Sequence, residues 1–301
     1  MVGGEGLAGI GRMAFCLGSS RVLGGRVVSG LRGHRCVQRM RMSGVPVRKS
    51  AAALIIGDEI LTGKTVDTNS NFLAKFLFAR GVDLKRVEVI PDDMEDIGDS
   101  VKRLSNNFDY VFTSGGIGPT HDDLTASLPH REFLDAIARA YGLDLEVDES
   151  IVAEMKRIQP DGEVNESRLR MATIPTKCEK LETEGLWVPL VVVNGNVYIL
   201  PGVPVILERM VNAASSRFGN GLPPRSRRIV YTKMHEGDLA ESVGKIANKY
   251  PQVAIGSYPR TDKTHKYNVK ITLEADDQAQ VEAAASEVVL AINGVDDANK
   301  L

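Results

Sequence analysis

Residues 51–57, AAALIIG, form a short apolar run without alternation, which predicts a strand covered on both faces. The next ten residues, DEILTGKTVD, read as a turn. TNSNFLAKFLFARG follows and puts Phe72, Leu73, Phe76 and Leu77 on one helical stripe. Thr68 or Asn69 is expected to cap its start and Gly81 to end it. LKRVEVI (84–90) predicts a second strand, and DDMEDIGDSVKRLSNNF a second helix with acids in its first turn, as the helix dipole prefers. DYVFTS (109–114) predicts a third strand. Strand, helix, strand, helix, strand implies parallel strands joined by right-handed crossovers. Ligands in such folds bind at the carboxyl ends of the strands, where GDEIL (57–61) and SGGIGPTHDD (114–123) both fall.

Farther on, REFLDAIARAYG and DESIVAEMKRIQ read as helices, and NESRLRMATIPTKCEKLETEG (165–185) reads as irregular. VPLVVVNGNVYIL predicts two strands around an Asn194-Gly195 turn. PGVPVILERMVNAASSRF starts as a loop and becomes a helix. The Gly/Pro-rich stretch GNGLPPRSRR (219–228) predicts a domain boundary. Strand, helix, strand, strand and helix follow, a small α+β unit of antiparallel type. The expected organisation is a leader over 1–48, an α/β domain over 49–220 and the small α+β domain over 225–301.

Charge is distributed unevenly. Residues 1–49 carry eight Arg, Lys49 and a single acid, Glu5, leaving 28 basic residues against 38 acidic ones, a net of −10. So acidic a body is a poor general nucleic-acid binder. The leader has the Arg-rich, acid-poor composition of an organellar transit peptide; a basic tail, or an upstream extension that is not translated, would share it. Mitochondria are the expected destination and plastids the second, with a cytoplasmic form starting at Met40 or Met42 as the alternative. Cys16, Cys36 and Cys178 make no pair at metal-binding spacing. No apolar run is long enough to span a membrane.

The chemistry gathers in TSGGIGPTHDDLT (113–125). Gly115, Gly116 and Gly118 let successive backbone N–H groups turn toward an anion with no Cβ in the way. Asp122 and Asp123 would repel a phosphate unless a cation lay between them, and Mg²⁺ commonly takes one or two carboxylates together with phosphate oxygens. The loop therefore suits a metal–diphosphate; a tight strand-to-helix turn with an acid cap is the plainer reading. Asp58 and Glu59 face the same crevice, or cap a helix. Asp67, Thr68 and Asn69 offer further oxygens or a cap. His121 sits in the loop as a ligand contact or as a locally hydrogen-bonded side chain. LPGVP (200–204) presents a helix N-terminus. Ile-Gly-Pro-Thr after SGG excludes the ATP loop of PP-loop enzymes, and neither a Walker lysine, a G-x-S-x-G elbow nor an H-E-x-x-H helix is present.

Taken together, GDEIL-TG-x3-DTN, TSGGIGPTHDDLT, LPGVP and IGSYP resemble the molybdopterin-binding (MoaB/Mog-like) domain. The version at the front of eukaryotic FAD synthases, related to the competence/damage-inducible protein CinA, is the most similar. The resemblance runs over about residues 50–295. It implies an α/β fold with a mainly parallel sheet sandwiched by helices, followed by the small α+β domain. It further implies molybdopterin binding, or metal-dependent cleavage of nucleotide diphosphates such as FAD and ADP-ribose with release of AMP, by a homo-oligomer. A non-catalytic regulatory role in FAD metabolism is the third reading. Asp123, Asp122 and Asp58 are the implied catalytic residues. Asp58, Glu59, Asp122 and Asp123 are the implied ligands of a divalent metal (Mg²⁺, Mn²⁺ or Co²⁺). Gly115, Gly116, Gly118, Thr120 and Thr125, with Asn69 and Gly202, form the implied substrate-binding set. Two departures stand out. ASLPHREF (126–133) looks like an insertion of about eight residues. A FAD-synthesising domain of PAPS-reductase type is not among the 301 residues, so FAD synthesis is not expected of them.

A fluorescent protein fused to residues 1–48 is expected to enter mitochondria; a diffuse cytosolic signal would contradict the targeting reading.

Overall fold

The computed structural model describes residues 47–116, 130–158, 166–219, 221–260 and 266–300. The leader and most of the 113–125 loop thus lie outside the described residues. Pro46–Leu301 fold as one compact unit. In chain order the elements are β1 (Ser50–Ile56), α1 (Asp58–Leu61), α2 (Asn69–Phe78), β2 (Asp83–Ile90), α3 (Met94–Asn107), β3 (Tyr110–Ser114) and α4 (His130–Tyr141). Then come β4 (Leu145–Val147), α5 (Glu149–Ile158), α6 (Glu166–Met171), β5 (Thr173–Pro175), β6 (Glu179–Leu181), β7 (Leu190–Val193), β8 (Val197–Leu200) and α7 (Pro204–Ala213). The small unit holds β9 (Ser226–Thr232), α8 (Glu236–Lys249), β10 (Ala254–Pro259), β11 (Val269–Ala275) and α9 (Gln278–Ala291).

Six strands form the large sheet in the order β2-β1-β3-β8-β7-β6. The first four are parallel; at the other edge β7 runs antiparallel to β8, and β6 antiparallel to β7. Side chains of β1 alternate between two cores. Ala52, Leu54 and Ile56 pack with Ile97, Val101 and Leu104 of α3 and with α4 and α5. Ala51, Ala53 and Ile55 pack with Leu73, Phe76 and Leu77 of α2 and with Leu207, Met210 and Val211 of α7. Truncating a fully buried Leu such as Leu54 typically costs about 2–5 kcal/mol. The small unit keeps a core of its own, in which Val269, Ile271 and Leu273 of β11 meet Val281, Ala284, Ala285 and Val288 of α9. Its sheet has the order β10-β11-β9, antiparallel throughout. The Arg48 guanidinium fastens the connector. It donates to the carbonyls of Gly81 (3.1 Å) and Pro223 (2.8 Å) and pairs with Asp276 at 2.6 Å.

Several local expectations change. The stretch after β1 is not simply a turn, because Asp58–Leu61 close one helical turn. Neither Thr68 nor Asn69 caps α2; the Asp67 carboxylate does, accepting from the N–H groups of Asn69 (2.9 Å) and Ser70 (3.0 Å). Phe72 is only partly buried, whereas Leu73, Phe76 and Leu77 face the core. Residues 165–185 are not irregular, since they contain α6, β5 and β6. These elements borrow their order from neighbours: β5 pairs with β4, and β6 adds to the edge of the large sheet. The second half of the insertion, from His130, belongs to α4, and Phe133 is fully buried. The Asn194-Gly195 turn is a tight hairpin with φ of 54° and 74°, the left-handed values such turns require. No described helix is long and apolar enough to cross a membrane.

Asp148 ties these peripheral pieces together. Its carboxylate accepts from the N–H groups of Ser150 (3.0 Å) and Ile151 (3.2 Å) at the start of α5, and pairs with Lys180 of β6 at 2.6 Å. Burial alone would raise its pKa, but the hydrogen bonds from Lys180, Ser150 and Ile151 outweigh burial and hold it at about 2. A pKa depressed in the folded state adds stability above the unfolded value of 3.8, and that stability is lost as pH falls through about 2. Asp148→Ala is therefore expected to cost about 1 kcal/mol near neutral pH. The gap from the wild type should narrow progressively under acid; urea unfolding at a series of pH values measures it.

Candidate functional site

Three parallel strands end at one crevice. At the end of β1, the Gly57 N–H donates to the carbonyl of Ile90, the last residue of β2 (3.2 Å). The Asp58 N–H donates to the Asp92 carboxylate (3.2 Å), and the Glu59 carboxylate folds back against Gly57. Asp58 and Glu59 thus begin α1 at the carboxyl edge of the sheet, both partly exposed.

At the end of β3, Gly115 has φ +107° and Gly116 φ +72°. Each lies in the region that favours glycine, and each also lacks room for a side chain. A Cβ on Gly115 would collide with the Ile56 carbonyl, and one on Gly116 with the Phe133 ring. After β8, Gly202 comes so close that a Cβ on it would sit 3.4 Å from the Gly115 Cα. Backbone thus packs directly on backbone at Gly115 and Gly202, while the Phe133 ring covers Gly116.

Asn69 locks these pieces. Its side-chain amide donates to Ser114 Oγ (2.8 Å) and to the Gly202 carbonyl (2.8 Å). A carbonyl only accepts, so the second bond fixes which end of the amide is nitrogen. The residue is 6% exposed, and its Oδ1 is buried without a hydrogen-bond partner among the described residues. A buried acceptor left unmade costs about 1–3 kcal/mol, which makes this atom a natural seat for a donor from a ligand or a water molecule.

The structure brings Asp58, Glu59, Asn69, Gly115, Gly116 and Gly202 to this carboxyl edge. Gly118, Thr120, His121, Asp122, Asp123 and Thr125 lie outside the described residues. No group of three His, Cys, Asp or Glu able to hold a metal occurs among the described residues. Sequence reasoning passed over Asp92 and Ser114. Asp92 follows the second strand as Asp58 follows the first, and that parallel was its available signal. Ser114 looked like part of a glycine turn, but it is buried and holds Asn69.

Comparison with known proteins gives the family. Residues 52–217 match the family described as "Probable molybdopterin binding domain", and residues 224–295 match "FAD synthase, middle domain". A "Probable FAD synthase" of Caenorhabditis elegans is 34% identical over 81% of this chain and 50% of its own length. A "CinA-like protein" of Myxococcus xanthus is 32% identical over 78% of this chain and 56% of its own length. The chain thus spans about half the length of these curated relatives. Among solved structures, the protein CinA from Thermoplasma acidophilum, titled as of unknown function, is 34% identical over 56% of this chain and 98% of its own, with a TM-score of 0.49. With more than half of its residues matched and a parallel sheet closing on a glycine-lined crevice, the chain belongs to the molybdopterin-binding-domain family, in the FAD synthase-like and CinA-like company of its relatives.

Proposed function

We propose that this protein is a metal-dependent nucleotide diphosphatase that hydrolyses FAD or ADP-ribose and releases AMP. The observation that carries the reading is the Asn69 Oδ1, buried and unpartnered among the described residues, beside the backbone-on-backbone approach of Gly115 and Gly202. Such main chain would admit a diphosphate to hydrogen-bonding range of its N–H groups. Asn69 Oδ1 would accept from a hydroxyl or amide of the ligand. Asp58 and Glu59 are hard oxygen donors suited to a divalent cation, and Asp122 and Asp123 of the following loop sequence would add two more. When bound, that cation would neutralise phosphate charge and activate water. Water adds to one phosphorus and the bridging P–O bond breaks, giving AMP with FMN or ribose 5-phosphate.

The family match supports a second reading, in which the same crevice takes molybdopterin for an adenylyl-transfer step. Protein incubated with FAD or ADP-ribose and Mg²⁺, Mn²⁺ or Co²⁺ is expected to form AMP, and a chelator should stop it. Turnover that needs molybdopterin and molybdate would support the second reading instead. Ligand binding without any turnover would leave a regulatory module.

Asp58→Asn and Asp123→Asn are expected to lower kcat and kcat/KM together, as loss of a transition-state interaction does. Stability should shift by only about 0.5 kcal/mol. A destabilised but fully active Asp123→Asn protein would refute the site.

Gly116→Val is a poor binding probe, since the new side chain would strike Phe133 at a backbone angle only glycine favours. Asn69→Ala is the better choice. It strands Ser114 Oγ and the Gly202 carbonyl, so melting should report a loss of about 1–3 kcal/mol. Steady-state kinetics should show KM rising more than kcat falls.

A further inference from the structure

A second concavity lies at the opposite edge of the molecule. It is a cleft of about 420 Å³ between the α2–β2 region and the small unit, within the size range of small-ligand sites. Asp83 and Leu84, at the start of β2, line it, while the last residue of β2, Ile90, bonds to Gly57 at the crevice. The strand's length therefore separates the two sites by about 23 Å.

Phe78 and Leu84 supply an apolar floor, and Lys75, Lys85, Arg225 and Arg227 surround it. Among the described residues, two carboxylates line the cleft with them. Asp83 is shared by Lys85 (2.9 Å) and Arg225 (3.2 Å), Arg225 also reaches Asp276 (3.4 Å), and Glu274 holds Arg227 (2.6 Å). Lys75 forms no ion pair among the described residues. In a body with a net charge of −10, a cleft carrying two more cations than anions is a local reversal of sign. The Arg227 guanidinium lies 4.1 Å from the centre of the Phe78 ring. One face of that flat cation is stacked and its other face is suited to a second flat group.

We infer that this cleft binds an aromatic monophosphate, its ring lying on the Arg227–Phe78 stack and its phosphate held by Lys75, Lys85 and Arg225. The site is independent of the crevice and of the hydrolytic reading, because it shares no residue with either. A plainer account of Lys75, a cation suiting the carbonyl end of α2, predicts no ligand.

Isothermal titration calorimetry on the full chain, with EDTA present to silence metal-dependent binding at the crevice, separates the two accounts. AMP and FMN serve as aromatic monophosphates of different ring size, and inorganic phosphate as the ring-free control. At least one of the two nucleotides is expected to bind, and more tightly than phosphate. Lys75→Glu should weaken it roughly tenfold or more, the size of losing a charge-assisted hydrogen bond. Lys75→Met should fall between, and Asp58→Asn should leave it unchanged. Lys75 is exposed, so both Lys75 variants are expected to melt like the wild type. The proposal is overturned if neither nucleotide binds, if phosphate binds equally well, if Lys75→Glu binds like the wild type, or if Asp58→Asn is the change that removes binding.

Discussion

From Ala51 to Ile56, every side chain of β1 is buried, and most of the architecture follows from that constraint. An apolar strand hydrogen-bonded on both edges must also be covered on both faces, so α2 and α7 pack on one side and α3, α4 and α5 on the other. Parallel neighbours joined through helices meet this demand. Once they do, polar chemistry has no place along the strand itself. It is displaced to the carboxyl ends, where Gly57, Asp58, Ser114, Gly115 and Gly202 meet.

Close approach of backbones is what turns these strand ends into a site. Gly115 lies against the Ile56 carbonyl and Gly202 against Gly115, so three chain segments pack with no side chain between them. Packing this tight leaves few groups to hold the loops in register, and Asn69 takes that role by donating to two of them. Both of its N–H groups are used, while its oxygen has no partner among the described residues. An amide needed only as a bracket would gain from satisfying that oxygen as well.

Long elements were legible because their signals are local. The unbroken apolar run of β1, the stripe of α2 and the acid-led start of α3 each suffice to define an element. Residues 165–185 were not legible because β5 and β6 are three residues each and exist only through pairing with β4 and β7. Asn69 was legible as a polar residue at a helix start, but its task was not. Whether such a residue caps its own helix or reaches across to two other segments depends on how those segments approach, and Asp67 had already taken the cap. Asp92 was hidden for a similar reason: its carboxylate meets the Asp58 backbone only after β1 and β2 pair.

The two ends of β2 carry opposite electrostatics. At the carboxyl end Asp58, Glu59 and Asp92 gather around strand termini, with Asp122 and Asp123 in the adjoining sequence. A bare phosphate would be repelled there, so any anionic ligand must arrive with a cation or rely on main-chain N–H groups. At the amino end, Lys75, Lys85, Arg225 and Arg227 outnumber Asp83 and Glu274. An anion can settle there without a metal, but with less geometric control, because long side chains in place of fixed backbone would have to be ordered around it. One end gathers carboxylates around closely packed main chain and the other gathers cations, and the eight residues of β2, none of them buried, keep the two apart.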